Sequence, residues 1–275
     1  MADKKCAVIT GGSSGLGFAI TGNLAKQGYT PVIIARRKNK LDEAVASLKK
    51  AGFEAYGFAG NISEPAAMTG IAELVRTQFG SVDFLVLNAG VVTVNLLSDY
   101  TDYAKLKEDI EIDLWGTIVS TKVFTPLMKP GSRILMISSA FGLMGAAGYS
   151  TYCAAKAGVI NFAQSIRREL LCKNIAVHVA CPADIDTPQY AGETAAMPAW
   201  MKEAATARKT LVTPEAAAEK ILNKCTGGKF IITINFEIGL FRFLTRILPD
   251  FAVAMLMDSS LPRPRGGVAG RPGKK

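Results

Sequence analysis

The sequence predicts a doubly wound α/β fold built on one parallel sheet of about seven strands. Three observations point to it. Short β-branched runs alternate with longer helical patterns, the runs are almost continuously apolar, and a cluster of glycines follows the first of them. Parallel strands covered by helices on both faces have that unbroken apolar character, whereas an antiparallel sheet with one wet face alternates. With 275 residues, 49% hydrophobic and 20% charged, the chain has the means to bury a full core, which excludes a disordered or collagen-like polymer.

The expected strands run over 6–10, 30–35, 53–58, 84–88, 134–138, 175–180 and 230–234. Helices are expected over 15–27, 40–50, 65–79 and 151–172, the spacing of right-handed crossovers. No repeat of fixed period is visible, and no Pro/Gly/Ser-rich linker divides the middle of the chain. The expected organisation is a main domain over 1–235, an apolar segment over 236–262 and a basic, disordered tail over 263–275.

Several chemistries lose their residues at this stage. The single histidine, His178, lies in an apolar run, so neither a His-rich metal site nor a Ser-His-Asp relay is expected, and no metal is assigned. The cysteines Cys6, Cys153, Cys172, Cys181 and Cys225 are odd in number and never in C-x-x-C spacing, which suits reduced, mostly buried thiols. The apolar stretch after the first few residues is too short for a signal-peptide core. More than half of the +9 net charge belongs to Arg263, Arg265, Arg271, Lys274 and Lys275. No aromatic residue interleaves with these cations, so no nucleic-acid partner is expected, while acidic lipid headgroups suit them as well as plain solvation does.

Directly after the first expected strand comes Thr10-Gly11-Gly12-Ser13-Ser14-Gly15-Leu16-Gly17, then a helix. Glycines permit a tight turn and close approach of phosphate, and a helix N-terminus presents free N–H groups and a positive dipole end. Placed after strand one of an alternating α/β chain, the turn predicts dinucleotide binding. The second strand ends in Ala35-Arg36-Arg37-Lys38, where a site for an unphosphorylated ribose carries an acid. Guanidinium groups suit a 2′-phosphate, so NADPH is the expected cofactor.

Tyr152 and Lys156 stand four apart on an expected helix and therefore share a face. A neighbouring ammonium favours the phenolate and is expected to lower the tyrosine pKa, fitting it for proton exchange with a carbonyl or alcohol oxygen. Ser139, at the carboxyl end of the fifth strand, is placed to hydrogen-bond the same oxygen.

Taken together, Thr10 to Gly17, Asn88-Ala89-Gly90, Ser139, Tyr152 with Lys156, and Pro182 followed by Thr187 resemble the short-chain dehydrogenase/reductase family over residues 5–235. The resemblance implies a Rossmann-type catalytic domain that transfers hydride between NADP(H) and a ketone or secondary alcohol. Tyr152 would be acid/base, Lys156 would lower its pKa and hold the nicotinamide ribose, and Ser139 would polarise the carbonyl. Gly11, Ser13, Ser14, Gly15, Leu16, Gly17, Arg36, Arg37, Lys40, Asn61, Ile62, Asn88, Ala89, Gly90 and Thr187 would contact the cofactor. Two positions depart from the family pattern. Asp113 stands at the active-site asparagine, whose backbone carbonyl helps hold a relay water. Its carboxylate would compete for the Lys156 ammonium. Asn61 stands where an aspartate usually meets the adenine, and keeps a carbonyl oxygen for that contact.

The substrate walls are expected in 91–97, 141–147 and 190–201, where Val91, Val92, Val94, Phe141, Leu143, Met144, Met197, Trp200 and Met201 predict an apolar pocket for a lipophilic small molecule. Past the last strand, Leu240, Phe241, Phe243, Leu244, Ile247 and Leu248 share a helical face with Arg242 and Arg246 opposite, the pattern of a helix lying in a headgroup layer. A dimer-interface helix or a lid over the pocket remain alternatives, the former consistent with a homo-oligomer. Within the family the chain most resembles the 3-ketodihydrosphingosine reductases, by 11–15, Ala35-Arg36, 182–188 and the apolar C-terminal segment. That likeness implies a membrane-associated enzyme facing the cytosol, at the endoplasmic reticulum in a eukaryote. Retinol- or hydroxysteroid-type dehydrogenases, or a catalytically weak NADPH-binding sensor or scaffold, are the competing readings.

Overall fold

The structure, a computed structural model, describes residues 5–197, 201–202 and 211–258. Seven parallel strands form one sheet: β1 (Lys5–Thr10), β2 (Tyr29–Ala35), β3 (Tyr56–Ala59), β4 (Val82–Leu87), β5 (Met128–Ile137), β6 (Ala176–Ala180) and β7 (Ile231–Ile232). Their order is β3-β2-β1-β4-β5-β6-β7, so the winding reverses between β1 and β4.

Alternate residues of the strands serve opposite layers. On one face Val8, Val32, Leu85 and Ile134 pack against Met68, Ile71 and Val75 of α3 (Pro65–Phe79), Phe124 of α5 (Gly116–Phe124) and Val159 and Ala163 of α6 (Ser150–Leu171). On the other, Ala7, Ile9, Val86 and Leu135 meet Ile20 and Leu24 of α1 (Gly15–Lys26) and Ile221 and Leu222 of α8 (Pro214–Thr226). Leu41 and Leu48 of α2 (Lys38–Lys50) cover Ile33. With both faces dry, the central strands are nearly all apolar, and each fully buried Leu, Ile or Val contributes about 1.5–3 kcal/mol. His178 lies within β6, its Nδ1 2.7 Å from the Lys229 carbonyl oxygen, and burial holds its pKa down. It is a core residue.

Four elements differ from expectation, the first being β5, which begins at Met128 rather than at position 134. β3 begins at Tyr56 rather than at position 53, because Phe53 and Ala55 pack onto the α2 cluster instead of pairing with β2. β7 is only two residues long, an edge strand bound to β6 alone. A helical stretch from α4 (Tyr103–Asp109) through a π turn (Ile110–Trp115) into α5 is absent from the expected helices, since buried Asp109 and Asp113 interrupt its apolar period.

Beyond β6 and α7 (Pro188–Ala196), the chain ends its described part in α9 (Phe236–Ile247) and α10 (Asp250–Asp258). Among the described residues no helix is long and apolar enough to cross a membrane. Phe236, Leu240, Phe243 and Ile247 form an exposed stripe on α9, continued by Phe251 and Met255 of α10. Arg242 does not project away from the protein as expected. It faces inward, beside Lys224, Thr233 and Gly239, where burial lowers its pKa.

Candidate active site

A cleft of about 650 Å³ opens at the carboxyl ends of β1 and β4, where the winding reverses, a size in the range of small-molecule sites. Its floor is the glycine turn. Gly11 has φ +66°, and a Cβ there would lie 2.7 Å from the Ala89 Cα. A Cβ on Gly17 would collide with the Gly11 carbonyl and the Asn88 side chain. These two glycines are therefore required by packing between the β1 and β4 turns rather than by approach of a ligand. Thr10 staples those turns: its Oγ1 accepts from the Asn88 and Ala89 N–H groups at 3.1 and 3.2 Å.

The cofactor end has the donors a dinucleotide needs. Ser14 precedes α1 without a side-chain cap bond, and no acidic residue occupies the first turn, so that N-terminus is open to an anion. Ser13, Ser14, Gly15 and Leu16 line the cleft there, with Thr187 3.3 Å from where a Gly15 Cβ would stand. Arg36 and Arg37 line it at the end of β2. Both are exposed, and among the described residues neither is ion-paired, whereas Lys38 and Lys40 are neutralised by Asp42 and Glu43 at 2.8 and 2.7 Å. Lys40 does not line the cleft, and its ammonium is held by Glu43 on the flank of α2. Asn61 and Ile62 reach the wall, but Asn61 spends its side chain locally, accepting from Ser63 N–H at 3.2 Å and donating to Glu64 at 3.0 Å.

The reacting end draws on β5, α6 and the π turn. Ser139 follows the end of β5 and caps a short 3-10 turn, its Oγ accepting from Phe141 N–H at 3.2 Å. Tyr152 and Lys156, one helical turn apart on α6, both line the cleft, with the ammonium 5.5 Å from the phenol ring centre. Behind them Asp113, wholly buried, sits 2.9 Å from the Lys156 Nζ. The Asp113 carbonyl oxygen, the group the family pattern uses for a water, accepts from Thr117 Oγ1 at 2.6 Å. Asp113 itself does not line the cleft.

The electrostatics reverse one expectation. Burial pushes the Tyr152 phenol up to about 12; Lys156 and Ser139 pull it down, while Asp113 and Glu193 push it further up. The tyrosine pKa is thus raised rather than lowered, because desolvation outweighs an ammonium whose charge Asp113 shares. Burial also raises Asp113 to about 6 against the pull of Lys156.

Of the expected apolar wall, Val91, Val92 and Phe141 line the cleft. Leu143 packs on the main core, and Val94, Met197 and Met201 join Tyr149 and Cys153 in a separate cluster, so these four brace the site from behind. Met144 is not in the cleft wall, and Trp200 lies outside the described residues. Two carboxylates not singled out from sequence also line the cleft, Asp184 after β6 and Glu193 on α7. Glu193 accepts from the Tyr149 hydroxyl at 2.6 Å. Its signal was an acid three residues after Tyr190 in an otherwise neutral wall segment.

An open anion-binding turn beside a Ser, Tyr and Lys constellation at the switch point of a parallel sheet defines an oxidoreductase of the dinucleotide-binding class. The family model described as short chain dehydrogenase matches residues 5–198, and the chain belongs to that family. Among its relatives, the 3-oxoacyl-[acyl-carrier-protein] reductase FabG of Escherichia coli is 36% identical over 229 residues, covering 78% of this chain and 92% of that one. The cis-4-hydroxycyclohexanecarboxylate dehydrogenase of Sinomonas cyclohexanicum is 32% identical, covering 79% and 88%. Similar solved structures include LigD in its apo form from Sphingobium (TM-score 0.74, 27% identity, 94% of this chain and 98% of that one). Another is a Burkholderia cenocepacia short chain dehydrogenase in complex with NADP (TM-score 0.73, 26% identity, 84% and 96%).

Proposed function

We propose that the protein is an NADPH-dependent reductase of a ketone carried on a long apolar chain, with 3-ketodihydrosphingosine as substrate. The observation that carries the reaction class is the convergence of Ser139, Tyr152 and Lys156 on the cleft whose other end holds the α1 N-terminus and Arg36 and Arg37, which no acid pairs among the described residues. When bound, NADPH supplies the hydride. This chain's residues do the rest. Arg36 and Arg37 engage a 2′-phosphate, and the first turn of α1 takes the pyrophosphate. Ser139 donates to the carbonyl oxygen, Tyr152 delivers the proton to that oxygen, and Lys156 supports the phenolate left behind.

The finer reading separates two long-chain ketones. A 3-oxoacyl thioester, the substrate class in the name of the E. coli relative, has no cation near its ketone, while a ketosphingoid base has an ammonium on the adjacent carbon. Glu193 lines the cleft and its charge reaches the Tyr152 phenol, with Asp184 nearby, which favours the amine. Membrane association facing the cytosol belongs to the same proposal. It is supported by the exposed stripe of α9 and α10, whose lipophilic occupant would be a bilayer surface.

NADPH oxidation in detergent, measured against 3-ketodihydrosphingosine, a 3-oxoacyl thioester, a steroid ketone and retinal, tests the reading. Preferred turnover of the amino ketone is expected. Preference for the thioester overturns the substrate, and tight NADPH binding without turnover of any ketone returns a sensor or scaffold.

A further inference from the structure

Asp113 and Lys156 are a buried carboxylate and a buried ammonium 2.9 Å apart, where the π turn faces α6. Oδ2 of Asp113 meets the ammonium while Oδ1 accepts from Val91 N–H at 2.7 Å, so the carboxylate is fixed to the loop after β4. Lys156 also donates to the Ile137 carbonyl oxygen at 3.3 Å. The ammonium is thus held between the carboxylate and the end of β5. The loop after β4 closes over the carboxylate so tightly that a Cβ on Gly90 would stand 3.0 Å from Asp113 Oδ1.

We propose that Asp113 is a positioning residue for Lys156, engaging the ammonium from behind the cleft in a buried ion pair while ionised and leaving it to the phenol when protonated. The inference rests on the reading of Tyr152 as the proton-transferring group. The charges around the pair are few. Tyr152 faces it from α6, Asp109 from the start of the π turn, the Val91 N–H from the loop after β4 and the Cys181 thiol from the end of β6, with Glu193 of α7 beyond Tyr152. Burial opposes the charge on Lys156, but Asp113, Tyr152 and Asp109 hold its pKa up. The same burial brings Asp113 to about 6, so the restraint is released within an accessible pH range. The chain's one histidine, His178, is buried against Lys229 on β6 with a lowered pKa and does not supply such a transition.

An ultraviolet phenolate titration of the cofactor-free protein, with Tyr152→Phe subtracted from the otherwise identical chain, isolates the Tyr152 ionisation. Asp113→Asn is expected to move that midpoint down by about 1 pH unit, and Asp113→Glu to move it back. An unmoved midpoint overturns the proposal. NADH affinity, free of the titration of a 2′-phosphate near pH 6, is read by fluorescence and is expected to rise about threefold or more from pH 7.5 to 5.5 in the unsubstituted protein, as Lys156 is freed, and to be flat in Asp113→Asn. Where Asp113→Asn does not fold, the unsubstituted protein decides, and an affinity constant over that range overturns the proposal. Neither readout uses a ketone, so failure of every substrate counts against the proposed function and leaves this inference standing or falling on its own measurements.

Discussion

The Asn88 side-chain amide donates to the backbone carbonyls of Thr10 and Gly11 at 3.3 and 3.1 Å, tying the end of β4 to the turn after β1. Two loops that diverge at the switch point are thereby held as one floor. Asn88 therefore acts on the cofactor by holding the glycine turn. Asn88→Ala leaves two backbone carbonyls short of a donor, and a loss of about 1–3 kcal/mol in folding stability is expected, with weakened NADPH binding and no change in the choice between NADPH and NADH. Thermal unfolding and cofactor titration check it; a variant that alters that choice would show Asn88 reading the cofactor directly.

Arg36 and Arg37 are the exposed cations at the end of β2 that no acid neutralises among the described residues. Replacing both by Ala is expected to weaken NADPH by about 10-fold or more, the scale of a lost charge-assisted contact, and to leave NADH nearly unchanged. Equal loss for the two cofactors would remove the phosphate assignment. Lys40→Ala, by contrast, breaks only an exposed pair with Glu43 and should change neither affinity.

Glu193 is the carboxylate of the substrate wall. Glu193→Gln preserves a hydrogen-bond acceptor for Tyr149 while deleting the charge. KM for an amino ketone should rise by about 10-fold, and kcat/KM for a ketone lacking the amine should hold or improve. Parallel losses on both substrates would show that Glu193 serves the wall's structure and not recognition.

The stripe of Phe236, Leu240, Phe243 and Ile247 gives a fourth expectation. Phe243→Glu with Ile247→Glu should abolish co-sedimentation with phosphatidylserine vesicles while soluble-substrate turnover persists. Unchanged sedimentation would count against a lipid surface, and a change in oligomeric state on substitution would assign the stripe to a second copy of the chain.

How much of this was legible in the sequence follows from where burial and polarity agree. The central strands are nearly all apolar because both faces are covered, so β1, β2, β4 and β6 are read within a residue or two. The glycine turn, Ser139, Tyr152 and Lys156 are also legible, because spacing along strand ends and one helical turn fixes their neighbourhood. Buried charge is not. Asp109 accepts from Thr93 and Thr151, and Asp113 meets Lys156, partners 16 to 43 residues away in the chain that no local pattern reveals. The direction of the Tyr152 shift was missed for the same reason, as it depends on burial and on Asp113 rather than on the lysine alone. Arg242 reads as a snorkelling cation on a helical projection, yet it faces β7, since which side of an amphipathic helix meets the protein is decided by tertiary contacts.

The most direct measurement of the central claim compares the single-turnover rate of NADPH oxidation by Tyr152→Phe with that of the unsubstituted protein, at saturating ketone and with NADPH binding measured in parallel. A fall of about 100-fold to 10,000-fold with cofactor affinity retained is the predicted result, the range for loss of a general acid. Retained turnover with the phenylalanine in place would contradict the assignment of the proton to Tyr152.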